Sequence, residues 1–332
     1  MRALGRYSAI LDGEARPLYL ASKAWPVAFE ADESDENLLR LNRDFTSTMI
    51  ARLGDPPSPN ASMPSLLGLK RELARRTLRS CRFCERACGA DRGAGETGYC
   101  GVAEPRVASE FVHLGEEPEL VPSHTIFFSG CTLKCVYCQN WDISQDPSAG
   151  KAVAPKTIAG WIGRRDGYVR NVNWVGGDPT PALALVLDVL AESDARLAQV
   201  WNSNMYLSER AMRILAGTMD VYLADLKYGN DDCALGLSDA PRYWATVTRN
   251  LRIARESGEL LVRHLVLPGH VECCSLPALE WLAKGAPDAK VNVMAQYRPG
   301  YKASGGLARR PTMGEVLSVQ RRALELGLDL TL

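Results

Sequence analysis

The chain predicts an α/β fold, an open, partial (β/α)6 barrel with a helical extension ahead of it and a small cysteine-rich module between the two. Three observations carry this. From Ser123 onward, short apolar runs alternate with stretches of helical periodicity, the pattern of repeated βα units on a parallel sheet. The polar residues of that region fall just after the apolar runs, where a βα barrel places its site. Residues 1–80 read as a polar, helical lead-in, and four cysteines crowd into the next twenty positions.

In chain order the parts are an extension over 1–80, a four-cysteine module over 81–110 and the barrel over 111–332. Within the extension, Leu38, Leu41, Phe45, Met49 and Leu53 recur near helical spacing, and Gly54 is placed to stop the helix. A Pro/Ser-rich linker follows at 55–60. Residues 66–79 read as a second amphipathic helix whose basic face, Lys70, Arg71, Arg75, Arg76 and Arg79, either meets solvent or an acidic partner. The barrel strands are expected at 124–128, 172–175, 199–202, 221–225, 261–267 and 291–295.

At 332 residues the chain can bury a large core, and its 39 basic and 39 acidic residues cancel, leaving no global field to draw nucleic acid or a membrane. The N-terminal residues lack the apolar core of a signal peptide, and no stretch approaches the roughly 20 apolar residues of a membrane span. Ten clustered cysteines without a secretory signal point to reduced thiols holding metal in the cytoplasm.

The most specific motif is Cys131-x3-Cys135-x2-Cys138, directly after the first apolar run. Three thiolates so close can hold three irons of a four-iron cluster and leave the fourth without a cysteine; an iron with an open position is where chemistry happens. With Tyr137 just before the last cysteine, the motif resembles the CxxxCxxC signature of the radical S-adenosylmethionine (SAM) superfamily. That resemblance implies a partial barrel of radical SAM type and a 4Fe-4S cluster on Cys131, Cys135 and Cys138. It also implies S-adenosylmethionine as cofactor, reductively cleaved to methionine and a 5′-deoxyadenosyl radical, with Tyr137 packed near the adenine.

The upstream set, Cys81, Cys84, Cys88 and Cys100, suits a tetrahedral shell, and zinc and an iron–sulfur cluster both remain open there. Cys233, Cys273 and Cys274 lack ligand spacing and read as ordinary thiols.

The ends of the later strands supply the remaining candidates. Gly176-Gly177-Asp178-Pro179 permits close backbone approach beside an acid, and resembles the superfamily's Gly-Gly-Glu-Pro motif, which binds the methionine amino group. Asn202 and Asn204 either hydrogen-bond a ribose or cap the next helix. Asp225 and Lys227, two apart on a strand, share a face, and Arg263 sits alone in an apolar run, with Asp225 or a bound carboxylate as its expected partner. The order of these motifs over residues 81–298 resembles the activating enzymes of glycyl-radical enzymes such as pyruvate formate-lyase. In them Lys227 and Arg263 would help hold the methionyl carboxylate or the peptide substrate.

The expectation is thus a cytoplasmic radical SAM enzyme, reduced by a low-potential flavodoxin or ferredoxin. It would abstract hydrogen at a barrel mouth lined by His270, Gln296, Tyr297 and Arg298, from a glycine of a partner protein, another peptide or a small molecule. A noncatalytic iron–sulfur electron carrier is the reading from another class.

Overall fold

In the computed structural model, which describes residues 3–30, 32–57, 63–115 and 117–331, one sheet takes its strands in chain order. They are β1 (Val107–His113), β2 (Ser123–Phe128), β3 (Asn171–Gly176), β4 (Ala198–Ser203), β5 (Val221–Asp225), β6 (Glu259–Leu265), β7 (Lys290–Met294) and β8 (Asp329–Leu330). β1 runs antiparallel to β2 at one edge, and β2 through β8 are parallel neighbours. The sheet is the open partial barrel that the sequence predicts. All six expected strands are present; cover on both faces favours apolar runs, and β4 is buried at every position, Gln199, Asn202 and Ser203 included. β1 escapes prediction because its Ser109, Glu110 and His113 break the apolar run, and β8 has only two residues.

The helices ahead of the barrel are α1 (Gly5–Leu11), α2 (Leu18–Ala24), α3 (Asp35–Ala51) and α4 (Leu66–Leu78). Ser34 caps α3 by accepting from the Asn37 amide at 3.2 Å, and Ser65 caps α4 by accepting from Gly68 at 3.2 Å. α3 stops at Ala51, so Leu53 and Gly54 lie in the turn beyond it. Residues 58–60 of the expected linker lie outside the described residues.

The barrel helices are α5 (Trp141–Ser144), α6 (Pro155–Arg165), α7 (Leu183–Glu192), α8 (Glu209–Leu215), α9 (Asp231–Ser238), α10 (Tyr243–Ser257), α11 (Leu276–Gly285) and α12 (Met313–Glu325). The basic face of α4 is largely absorbed by the protein itself. Arg71 and Arg75 pair with Asp188 of α7 at 2.7 and 3.2 Å, and Arg76 pairs with Glu72 and Asp35. Lys70 is fully buried and donates to Asn42 Oδ1 and Thr46 Oγ1 of α3. Of the five, Arg75 and Arg79 are exposed.

α1 lies across the end of the barrel where the strands begin. Leu4, Tyr7 and Ile10 pack with Ala198, Val200, Val221, Leu223 and Leu261 in a separate buried cluster. The Arg6 and Tyr7 amides donate to the Glu259 carboxylate at 2.9 and 2.6 Å, and the Arg6 guanidinium meets buried Asp220 at 2.7 Å.

Candidate active site

The opposite end, where the strands finish, gathers the chemistry. β2 ends at Phe128 and feeds the cysteine loop; β3 ends at Gly176 and feeds Gly177 and Asp178. The two loops are stitched together by backbone, the Gly177 amide donating to Phe128 O at 2.8 Å and the Asp178 amide to Gly130 O at 3.0 Å. Only glycine fits at the crossing. A Cβ on Gly177 would stand 2.3 Å from Gly130 O, and one on Gly176, whose φ is +139°, would stand 2.0 Å from Phe128 O.

Each of the three clustered thiols receives its own hydrogen-bond partner. Cys131 Sγ accepts from the Leu133 amide at 3.4 Å and from Asn204 Nδ2 at 3.6 Å. Cys135 Sγ accepts from Ser238 Oγ at 2.9 Å, and Cys138 Sγ lies 3.2 Å from Ser144 Oγ. The Tyr137 hydroxyl meets that of Tyr228 at 2.7 Å, and Tyr228 in turn bonds Ser238, so a buried chain of hydroxyls ends on Cys135. Burial, then the neighbouring Asp178 charge, pushes the Cys131 thiol well above its usual range; burial raises Cys135 as well, against the pull of Lys227. Thiols so buried ionise when a cation is there to take them.

Cys131, Cys135, Cys138 and Tyr137 line one cleft together with Gly176, Gly177, Asp178, Asn202, Ser203, Asn204, Asp225, Lys227 and Arg263. The candidates at the ends of β2, β3, β4, β5 and β6 thus meet in one cleft. Asp178 is buried and fully engaged: Oδ1 accepts from the Thr180 amide at 2.9 Å, and Oδ2 from Ser203 Oγ and the Asn204 amide, both at 3.0 Å. Burial raises its carboxyl, and these bonds oppose the rise. Lys227 Nζ contacts Asp225 Oδ2 at 2.6 Å.

Arg263 differs from expectation. Asp225 is taken by Lys227, and the guanidinium instead grips Glu117, from the loop between β1 and β2, with a further bond to Asn202 Oδ1 at 3.3 Å. Asn202 Nδ2 is buried in the cleft wall and finds no hydrogen-bond partner among the described residues. A buried donor left unmade costs about 1–3 kcal/mol, which fits a wall built to meet a ligand. The donor set suits the expected group: three soft sulfurs in one loop, hydrogen-bonded from outside, with cationic and amide donors across the cleft.

Around this cleft, Cys81, Cys84, Cys88 and Cys100 form a neighbouring group, in which burial pushes the Cys84 thiol up to about 12 and burial together with the other thiols raises Cys81. Their loop packs on the cysteine loop, since a Cβ on Gly130 would come within 2.3 Å of Val102 and 3.0 Å of Cys100 O. Of the expected mouth residues, Tyr297 is buried with its hydroxyl on Leu307 O and its ring edge against Tyr137, and Arg298 bonds Gln139 at 2.7 Å. Gln296 is exposed. His270 lies elsewhere, its Nδ1 3.6 Å from Cys233 Sγ and 3.4 Å from Cys273 Sγ. Cys233, Cys273 and Cys274 are therefore not scattered thiols, and the 40 residues between Cys233 and Cys273 are why sequence spacing misses them.

An open barrel with a three-thiol loop at its catalytic rim defines a class, and the comparisons agree: the family model "Radical SAM superfamily" matches residues 125–282. The chain belongs to the radical SAM superfamily and is a radical SAM enzyme. "Uncharacterized protein MJ0674" of Methanocaldococcus jannaschii is 44% identical over 275 residues, 80% of this chain and 81% of that one. Among solved structures, Streptococcus suis SuiB bound to S-adenosylmethionine matches at 14% identity and TM-score 0.48, over 60% of this chain and 47% of that one. A radical SAM methyltransferase from Sphaerobacter thermophilus matches at 14% identity and TM-score 0.48, over 63% and 65%. The chain spans about half the length of SuiB. Among the described residues no helix is long and apolar enough to cross a membrane.

Proposed function

We propose that Cys131, Cys135 and Cys138 hold a 4Fe-4S cluster and that the cleft beside them binds S-adenosylmethionine, in a cytoplasmic enzyme that draws hydrogen from a substrate at the barrel rim. The observation that carries this is the convergence on one cleft of three hydrogen-bonded thiols, an unpartnered Asn202 amide and the Lys227 ammonium. When bound, the cluster supplies the electron that breaks the sulfonium C–S bond and yields a 5′-deoxyadenosyl radical.

The chain's own groups orient and enclose. With both Asp178 oxygens engaged, Asp178 fixes its loop, and the Gly176 and Gly177 backbone is left to accept from the ligand's ammonium. Lys227 and Asn202 are placed to hold the carboxylate or ribose, and Arg263, braced on Glu117, fixes Asn202. Tyr137 forms the cleft wall on the adenine side. Asn204 and Ser238 steady the sulfurs of Cys131 and Cys135. Cys81, Cys84, Cys88 and Cys100 form a further metal site in this reading, and a low-potential flavodoxin or ferredoxin is the reductant.

The substrate favoured by the motif order is a glycine Cα of a partner protein, as in activating enzymes of glycyl-radical enzymes. A different peptide or a small molecule is the second reading, favoured by the Gln296-Tyr297-Arg298 segment, where those activases commonly carry histidine. The test is anaerobic reconstitution with iron and sulfide, reduction in the presence of S-adenosylmethionine, and chromatography for 5′-deoxyadenosine. Product that disappears in Cys135→Ala supports the reading; electron exchange without product from a fully loaded protein returns it to the electron-carrier class.

A further inference from the structure

The loops that follow β5 and β6 bring together four ligands that the catalytic cleft does not use. Cys233, one turn into α9, meets His270, Cys273 and Cys274 around a single π-helical turn, Val271–Ser275, and all four ligand atoms lie within 4.8 Å of one another. Among the described residues this is the one group of three or more His, Cys, Asp or Glu ligands so closely convergent.

The distances select the occupant. A tetrahedral zinc with Zn–S of about 2.3 Å and Zn–N of about 2.05 Å has S···S edges of about 3.8 Å and S···N edges of about 3.6 Å. Here Cys233 Sγ and Cys273 Sγ stand 3.7 Å apart, Cys273 and Cys274 Sγ 3.8 Å, and His270 Nδ1 lies 3.6 and 3.4 Å from Cys233 and Cys273. A disulfide would need about 2.05 Å, and an iron–sulfur cube interposes iron and sulfide between its thiolates and spreads them wider. The surroundings fit a held ion. Asn230 Nδ2 points at Cys233 Sγ (3.4 Å) and Cys274 Sγ (3.9 Å) while bonding Cys273 O at 2.7 Å. Its Oδ1 caps α9 on the Cys233 amide at 2.8 Å. Such contacts from outside orient the side chains that hold a metal.

We propose that Cys233, His270, Cys273 and Cys274 form a zinc site of three sulfurs and one nitrogen. Four protein ligands close the shell, so the ion is structural, a clip joining the β5 and β6 loops. The clip sits directly against the catalytic rim, because a Cβ on Gly229 would lie 2.7 Å from Cys274 O and 2.9 Å from Cys273 O, two residues past Lys227. It also seats α9 at its first turn, and the last residue of α9 is Ser238, which donates to Cys135 Sγ. The zinc thereby positions the hydrogen bond on one cluster sulfur from the far end of an eight-residue helix.

The test is elemental analysis of the full chain, purified anaerobically from zinc-supplemented growth, with Cys273→Ser, His270→Ala and Cys88→Ser compared. Cys273→Ser and His270→Ala are each expected to lose one zinc per chain with iron content kept, a zinc that Cys88→Ser retains. Asn230→Ala, which spares all four ligands, should weaken zinc about 10–100-fold against a chromophoric chelator. Alkylation of the unaltered chain with and without added zinc answers independently of variant folding: zinc should shield Cys233, Cys273 and Cys274. Zinc unchanged in Cys273→Ser and His270→Ala, or thiols equally alkylated with and without it, overturns the proposal.

Discussion

Glu117 holds Arg263 through two bonds of 2.7 Å each, Oε1 to Nε and Oε2 to Nη2, and the carboxylate side chain is only 2% exposed. Burial works to raise the Glu117 carboxyl, but Arg263 and Asn292 outweigh it and hold it below the ordinary range. The pair therefore stabilises the fold above the unfolded carboxyl value, near pH 4.3, and that contribution fades as pH falls through the lower folded value. Glu117→Ala, which removes the guanidinium's buried carboxylate partner, should cost about 3 kcal/mol in denaturant unfolding at pH 7, and Glu117→Ala with Arg263→Met should recover most of it. A single variant as stable as the original chain would show that the pair does not brace the wall.

Lys70 gives a pH dependence of the opposite origin. Full burial lowers its ammonium from an ordinary 10.5 to about 7. Between pH 7 and 10.5 the unfolded chain binds this proton and the folded chain does not, so stability rises with pH through that window. Relative to Lys70→Met, the original chain should gain about 4 kcal/mol between pH 6 and pH 10. Parallel stability curves for the two proteins would mean that the ammonium finds solvent.

The sulfur contacts are tested by potential. In the proposed cluster, removing the Ser238 donor to Cys135 in Ser238→Ala, or one of the two donors to Cys131 in Asn204→Ala, would withdraw about 0.5–1.5 kcal/mol of hydrogen bonding that favours the more negative, reduced state. Each change should lower the midpoint in an anaerobic spectroscopic titration by about 20–60 mV. An unmoved midpoint in both would detach these residues from the cluster.

Gly177→Ala tests the stitched loops. Its Cβ would meet the Gly130 carbonyl at 2.3 Å and the Ser144 Cα at 2.7 Å, both backbone, so no side-chain rotation relieves the clash. The variant should reconstitute with less than full iron and lose 5′-deoxyadenosine formation, whereas Gly163→Ala, with nothing near its Cβ, should retain both. Full iron loading and turnover in Gly177→Ala would show that the crossing can open.

How far the chain could be read in advance depended on whether a signal was local. The six barrel strands are legible because cover on both faces favours apolar residues, and the cysteine loop because its three thiols lie within eight residues. Arg263 in its apolar run signalled that a partner was required, but Glu117 lies 146 residues away in a loop without periodicity, so no pattern named it. Cys233 and His270 failed for the same reason: each is unremarkable in its own segment, and the topology brings them together. Asp178 was legible in position, while its engagement by Ser203 and Asn204 required the register of β3 against β4.

α1 gives the extension a meaning beyond packing. Leu4, Tyr7 and Ile10 stopper the barrel floor, and Glu259 and Asp220 latch the stopper through the Arg6 and Tyr7 amides and the Arg6 side chain. A vessel corked below exchanges its contents over the upper rim. In the radical chemistry proposed above, a short-lived oxidant would then leave over that rim alone, and α1, at the far pole from the cysteines, would close the other way out.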